Sequence, residues 1–144
     1  MPWPTIEWVA VGATLWSIAV AFVLAIPVAW DRERSERSAG LRTFPLVATA
    51  ACSYVLLSRA AFPDAPDAQA RILEGLITGI GFIGGGAILK EPGGVRGTAT
   101  AASIWATAAT GAAVAYGRYD IALVLNVTSV ATLRLLGPLK SEPA

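Results

Sequence analysis

The sequence has no histidine, a single cysteine and charge on only 15% of its residues. The missing histidine removes the commonest metal ligand and the usual near-neutral general base. Cys52, standing alone, cannot close an internal disulfide; it lies in an apolar run, where it reads as a small packing residue. An ordinary soluble domain is about 25% charged, so polar surface is in short supply here. A net charge of +1 supplies no basic field for nucleic acid. There is no phosphate-binding loop and no nucleophile–base pair, so the chain is not read as an enzyme. The N-terminal MPWPTIEW lacks the basic region of a signal peptide, and the apolar run behind it is longer than a signal core. It reads as a retained helix.

What is present is apolar sequence in blocks. Trp8 to Trp30, Phe44 to Ser58, Gly75 to Leu89, Gly97 to Gly117 and Ile121 to Leu133 carry no charged side chain. These runs sit around the length an α-helix needs to cross hydrocarbon. The expected fold is therefore all-α: one transmembrane domain over 1–144, with about five helices near 7–30, 43–57, 72–89, 98–116 and 121–136. A four-crossing arrangement with one re-entrant segment is the alternative, because the second and fifth runs are short. Trp8 and Trp30 are separated by about 33 Å of helix, which suits tryptophans at the two interfaces. Pro27 falls in the last turn of the first run, where a kink is expected. The charged DRERSERSAGLR, the proline-broken RAAFPDAPDAQAR, the turn KEPGGVRG and the connector GRYD separate the runs, and GPLKSEPA reads as a frayed end.

Loop charge sets the expected orientation. With the N-terminus outside, Arg32, Arg34, Arg37, Arg42, Lys90, Arg96, Arg134 and Lys140 fall on the cytoplasmic side, against Arg59, Arg71 and Arg118 outside. N-out, C-in, in a bacterial inner membrane, is the expected topology.

Three features could carry function. In EGLITGIGFIGGGAI, the pairs Gly75/Gly79 and Gly81/Gly85 have the spacing that lets helix backbones touch. The alternative is a locally unwound helix exposing carbonyls to an ion. In the fourth run, Thr100, Ser103, Thr107, Thr110 and Gly111 recur at three- and four-residue steps and form one polar stripe. Its hydroxyls either bond back to the helix and its neighbours or line a path for a hydrated cation. Third, Asp31-Arg32-Glu33-Arg34 stands just past Trp30. It is either a solvated topological loop, or a pair of hard oxygen ligands for Mg²⁺ (Asp31 and Glu33) that can also salt-bridge to Arg42 or Arg96. Asp64 and Asp67 are weaker cation candidates. No ionisable residue lies near the midplane of any run, where ion pumps and proton-coupled transporters usually keep one.

Asp31-Arg32-Glu33, AGLRT (Ala39 to Thr43), GIGFIGGGAI (Gly79 to Ile88), VRG (Val95 to Gly97) and TAASIWATAATG (Thr100 to Gly111), in this order, resemble the MgtC/SapB family. The match covers roughly residues 15 to 135. Alanines 25 and 29 stand where that family usually has glycine, Asp31 where it has Glu, Phe44 where His is frequent and Gly75 where Gln is common. The resemblance implies a polytopic inner-membrane protein tied to growth under Mg²⁺ limitation, in a short form without the soluble C-terminal domain of the virulence-linked members. It implies a regulator acting on membrane partners such as the F-type ATP synthase or a Mg²⁺ transporter, with a homodimer plausible. The alternative is a cation transporter or channel lined by the third and fourth helices; a structural subunit of a larger complex is a third reading. The expected functional motif comprises Asp31, Arg32, Glu33, Arg42, Gly79, Gly81, Phe82, Gly84, Gly86, Arg96, Gly97, Thr100, Ser103, Trp105 and Thr107. Within it, Asp31, Arg32, Glu33, Arg42 and Arg96 are expected to cluster against the glycine-rich helix, binding a cation or docking a partner.

Overall fold

The computed structural model describes residues 6–35, 39–92 and 94–137. Five helices, α1 (Trp8–Arg34), α2 (Thr43–Ala61), α3 (Pro66–Gly86), α4 (Thr98–Ala115) and α5 (Tyr119–Leu136), follow one another; a short hairpin, β1 (Leu89–Glu91) and β2 (Gly94–Arg96), joins α3 to α4. Arg37, Lys140 and residues 138–144, on which parts of the charge count and the frayed end rest, lie outside the described residues.

α1 and α3 depart from their expected bounds for local reasons, and α2 runs four residues further, to Ala61. α1 continues past Trp30 to Arg34, with Arg32 and Arg34 in its last turn, where cations favour the negative end of the helix dipole. α3 starts six residues early, because Pro66 at its first position needs no N–H partner. It also stops at Gly86 rather than running to Leu89. Three successive glycines give little helical propensity, and the chain leaves through tightened bonds from Ala87 N–H to the Gly84 carbonyl and from Ile88 N–H to that of Gly85. The expected turn KEPGGVRG is thus a β-hairpin with Leu89 opposite Arg96 and Lys90 opposite Val95. It ends at Gly97, whose φ of 87° suits glycine and whose carbonyl accepts the first bond of α4 from Ala101 N–H.

α4 is the axis of the bundle and touches all four other helices, whereas α3 packs mainly on α2 and α4 among the described residues. α1 and α5 run parallel, since Leu24 meets Asn126 and Asp31 meets Arg134 in the same order. α3 and α4 are antiparallel: Gly84 lies beside Ala101, and Gly81 beside Trp105. The ends at Arg34, Thr43, Gly86, Thr98 and Leu136 therefore share one side of the bundle. Arg32, Arg34, Arg42, Lys90, Arg96 and Arg134 gather there, opposite Arg59, Arg71 and Arg118.

Small side chains fill the interior. Ala21, Ala25, Ala29, Ala48, Ala51 and Cys52 are fully buried, around Phe44, Ile104 and Val55. Large apolar side chains such as Val9, Trp16, Leu46 and Phe82 face outward instead. An interior of small residues under an apolar exterior is how helices pack in lipid. Three helices, α1, α2 and α5, are long and apolar enough to cross a membrane. The expected five spans thus reduce to three on this measure. α4 is rich in alanine and threonine, twelve of its eighteen residues being buried, and α3 is diluted by glycine.

Candidate functional site

The charged end of α1 is built as a clasp between helices. Asp31 Oδ2 accepts from Arg32 Nη2 at 2.6 Å and from Nε at 3.2 Å, while Oδ1 lies 3.6 Å from Arg134 Nε on α5. Arg32 is buried, at 8% exposure. A guanidinium placed there needs a paired carboxylate beside it, and Asp31 provides it. One turn on, Ser35 Oγ donates to the Asp31 carbonyl and closes the end of the helix.

Glu33 serves the next junction. Its Oε2 accepts from Leu41 N–H at 2.9 Å, so a carboxylate on α1 holds the backbone just ahead of α2. Gly40 makes this possible: a Cβ there would overlap the Glu33 carboxylate and come within 3.2 Å of its Cα. The Gly40 carbonyl then accepts from Thr43 and Phe44 N–H and starts α2, with Phe44 fully buried behind it. The AGLRT run thus builds a helix entry, with Arg42 left exposed on the α2–α3 side.

The five charged residues do not converge as expected. Asp31 pairs with Arg32 and Arg134, Glu33 with a backbone N–H, and Arg96 with Glu91 across the hairpin at 3.3 Å. Arg42 lines a groove between α2 and α3. Asp31 and Glu33 do not fit as a Mg²⁺ cage: both carboxylates are engaged by N–H donors, whereas the ion demands near-octahedral oxygen ligands. Among the described residues, no three acidic or thiol side chains come together in a way that could hold a metal.

The glycine run is also used differently from its spacing. α3 is continuous from Pro66 to Gly86, with no unwound turn exposing carbonyls. Only Gly84 is buried, where a Cβ would rest 3.5 Å from the Ala101 carbonyl oxygen and from Trp105 Cδ1; Gly81 lies farther from the same indole. Gly75, Gly79, Gly85 and Gly86 have nothing of the chain within reach of a Cβ, and Phe82 is 86% exposed. The expected backbone contact through Gly75/Gly79 and Gly81/Gly85 is therefore absent within the described chain. It occurs instead at Gly111 of the polar stripe. A Cβ on Gly111 would collide with the Ala48 carbonyl group and lie 3.0 Å from its Cα.

Thr100, Ser103, Thr107 and Thr110 all face the interior of the bundle. Ser103 Oγ donates to the Ala99 carbonyl at 2.7 Å, and Thr110 Oγ1 to that of Ala106 at 2.9 Å. Both hydroxyl protons are spent on the helix itself, the arrangement that leaves such residues as packing elements.

Two features were not singled out in the sequence. Asn126, buried on α5, donates through Nδ2 to the Leu24 carbonyl on α1, inside the turn where Pro27 supplies no N–H. Arg59 donates from Nη1 to the Ala115 carbonyl at 2.6 Å, covers Tyr116 and so caps the C-terminus of α4. Asn126, Val130 and Arg134 recur at four-residue steps, a spacing that puts all three on the α5 face meeting α1.

Comparison with known proteins adds a second line. A family model described as the MgtC family matches residues 18–142. The chain is 37% identical over 132 residues to a protein named Protein MgtC from Brucella abortus (strain 2308), covering 92% of this chain and 55% of that one. It is 37% identical over 111 residues to Protein MgtC from Salmonella typhimurium (strain 14028s), covering 77% of this chain and 47% of that one. The chain thus spans about half the length of the curated relatives it matches. No solved structure matches.

Proposed function

This chain belongs to the MgtC family, and from that premise we propose that it is a regulator in Mg²⁺ homeostasis and not an enzyme. In this reading it is a five-crossing inner-membrane protein, N-out and C-in, acting on membrane partners such as the F-type ATP synthase or a Mg²⁺ transporter. The topology draws support from the six described cations at the end bearing Arg34, against three at the other. Burial of most of α4 inside the bundle is consistent with a span of lower hydropathy, because most of its surface meets protein instead of lipid.

The observation that carries the regulator over the transporter is how the polar groups are spent. The charged motif ties α1 to α5 and to the entry of α2, and hydroxyls of the α4 stripe are bonded back to their own helix. Ends of helices clasped by ion pairs suit a surface that docks or responds to a partner. A conducting path needs carbonyls or charges facing its lumen.

Two measurements test the reading. Neutralising Asp31→Asn and Glu33→Gln together should abolish growth at low Mg²⁺ with membrane abundance unchanged; normal growth of that strain refutes the role of the motif. Proteoliposomes containing only this protein should show no Mg²⁺ flux. Flux sensitive to substitution of Gly84 or Thr107 would establish the transporter instead.

A further inference from the structure

The open glycines of α3 belong to a groove. Between α2 and α3 lies a cavity of about 720 Å³, walled by apolar side chains such as Leu46 and Ile83 and floored where Gly75 and Gly79 withhold theirs. On α2 it runs from Thr43 to Tyr54, with Arg42 at the end beside Thr43. Eleven helical steps are about 17 Å, close to half of the roughly 30 Å hydrocarbon thickness of a bilayer. The groove is therefore as long as one leaflet is deep. A guanidinium stands at its headgroup end, on the same side of the bundle as Asp31 and Arg134.

We infer that this groove holds one acyl chain of an anionic phospholipid, with the lipid phosphate on Arg42. The inference rests on α3 lying in the membrane beside α2, as the five-crossing reading has it. The charge is what selects the occupant. A purely apolar slot would accept any chain, but a bidentate guanidinium at the interface favours an anionic headgroup over a zwitterionic one. Glycine at 75 and 79 keeps the slot open along its length, which side chains of leucine size at these positions would close.

The experiment uses the full chain in nanodiscs of phosphatidylcholine doped with phosphatidylglycerol, and counts bound lipid by native mass spectrometry after release into detergent. Phosphatidylglycerol should be retained several-fold over phosphatidylcholine. Arg42→Gln should remove that preference while total bound lipid stays, and Gly75→Leu with Gly79→Leu should lose both lipids. Equal retention of the two lipids by the wild-type chain, or undiminished phosphatidylglycerol on the double leucine variant, overturns the inference. So does a mass showing a dimer that the leucines disrupt, since a second copy would then fill the groove. Labelling of Ile77→Cys in a Cys52→Ala background by an impermeant maleimide separates the premises. A protected thiol with no lipid preference refutes the lipid site alone, and an accessible one refutes the five-crossing reading with it.

Discussion

α3 and α4 are both built from small residues, yet they use them in opposite ways. Gly111 on α4 lets the helix axis sit against the Ala48 backbone of α2, and twelve of the eighteen residues of α4 are buried around that contact. On α3, with its glycines at 75, 79, 81, 84, 85 and 86, only Ile80 and Gly84 are buried. The difference lies in what each helix faces. Small residues give close approach only where a neighbour arrives to use the space, and α4 meets helices on most of its circumference, leaving one stripe through Ala102, Trp105 and Ala109 exposed, while α3 stands at the edge. Small-residue spacing alone is therefore a licence for contact, and the position of the helix in the bundle decides whether it is taken up.

The comparison breaks most directly at Gly111. Gly111→Ala puts a methyl group into the Ala48 backbone, which cannot rotate away as a flexible side chain would. Overpacking of this kind costs about 1–3 kcal/mol, and a backbone obstacle places it near the upper end. Unfolding in mixed detergent micelles should show a loss of about 3 kcal/mol. A change below about 0.5 kcal/mol, the usual scale for a surface substitution, would mean that α2 and α4 are not in contact there.

Much of this arrangement was legible in the sequence, and the failures have physical causes. Five helices follow from uncharged runs bounded by charge and proline, because hydrocarbon-length segments leave few alternatives. Burial of Cys52 and the back-bonding of Ser103 and Thr110 follow from their surroundings in equally short-range terms. The ion pairs were not legible. Asp31 chooses Arg134, over a hundred residues away, and the rule of nearby opposite charges points to Arg42 or Arg96 instead. Nor was the direction of the glycine faces: Gly75/Gly79 and Gly111 look alike as letters, and only the packing order tells which one meets a backbone. Glu33 to Leu41 N–H was hidden for a further reason, since a backbone donor leaves no mark in the sequence.

A smaller effect is expected at the seam between α1 and α5, the other contact made without a large apolar core. Asn126→Leu removes the bond to the Leu24 carbonyl while keeping the γ-branched shape of the side chain, so its cost reports chiefly on the lost polar contact. Side-chain hydrogen bonds between membrane helices are worth about 0.6 kcal/mol on average and about 1.7 at most. The missing Pro27 N–H would have served the Val23 carbonyl, one residue before Leu24, so the amide strengthens the turn beside the gap and a value inside that range is expected. Asn126→Leu should therefore lose about 1 kcal/mol in the same micelle titration. If the cost falls to nothing when Pro27→Ala is added, the amide serves the proline-weakened turn; an unchanged cost assigns it to helix pairing alone.

The smallest expected change carries the opposite sign and decides what α3 faces. Gly85 lies in the last turn of α3 with a helical φ, and nothing of the chain comes within 4 Å of the place a methyl group would take. Gly85→Ala there removes backbone freedom from the unfolded chain and meets no obstacle, a combination that stabilises by about 0.4–1 kcal/mol. The last turn is partly frayed, so a gain near 0.5 kcal/mol is expected in monomeric micelles. The same residue change is thus destabilising on α4 and stabilising on α3, although both sites are glycines in membrane-type helices. Should Gly85→Ala lower stability in bilayers while raising it in micelles, something present only in the bilayer must pack against that glycine. α3 would then take up its small-residue contact with a neighbour outside the chain, as α4 does within it.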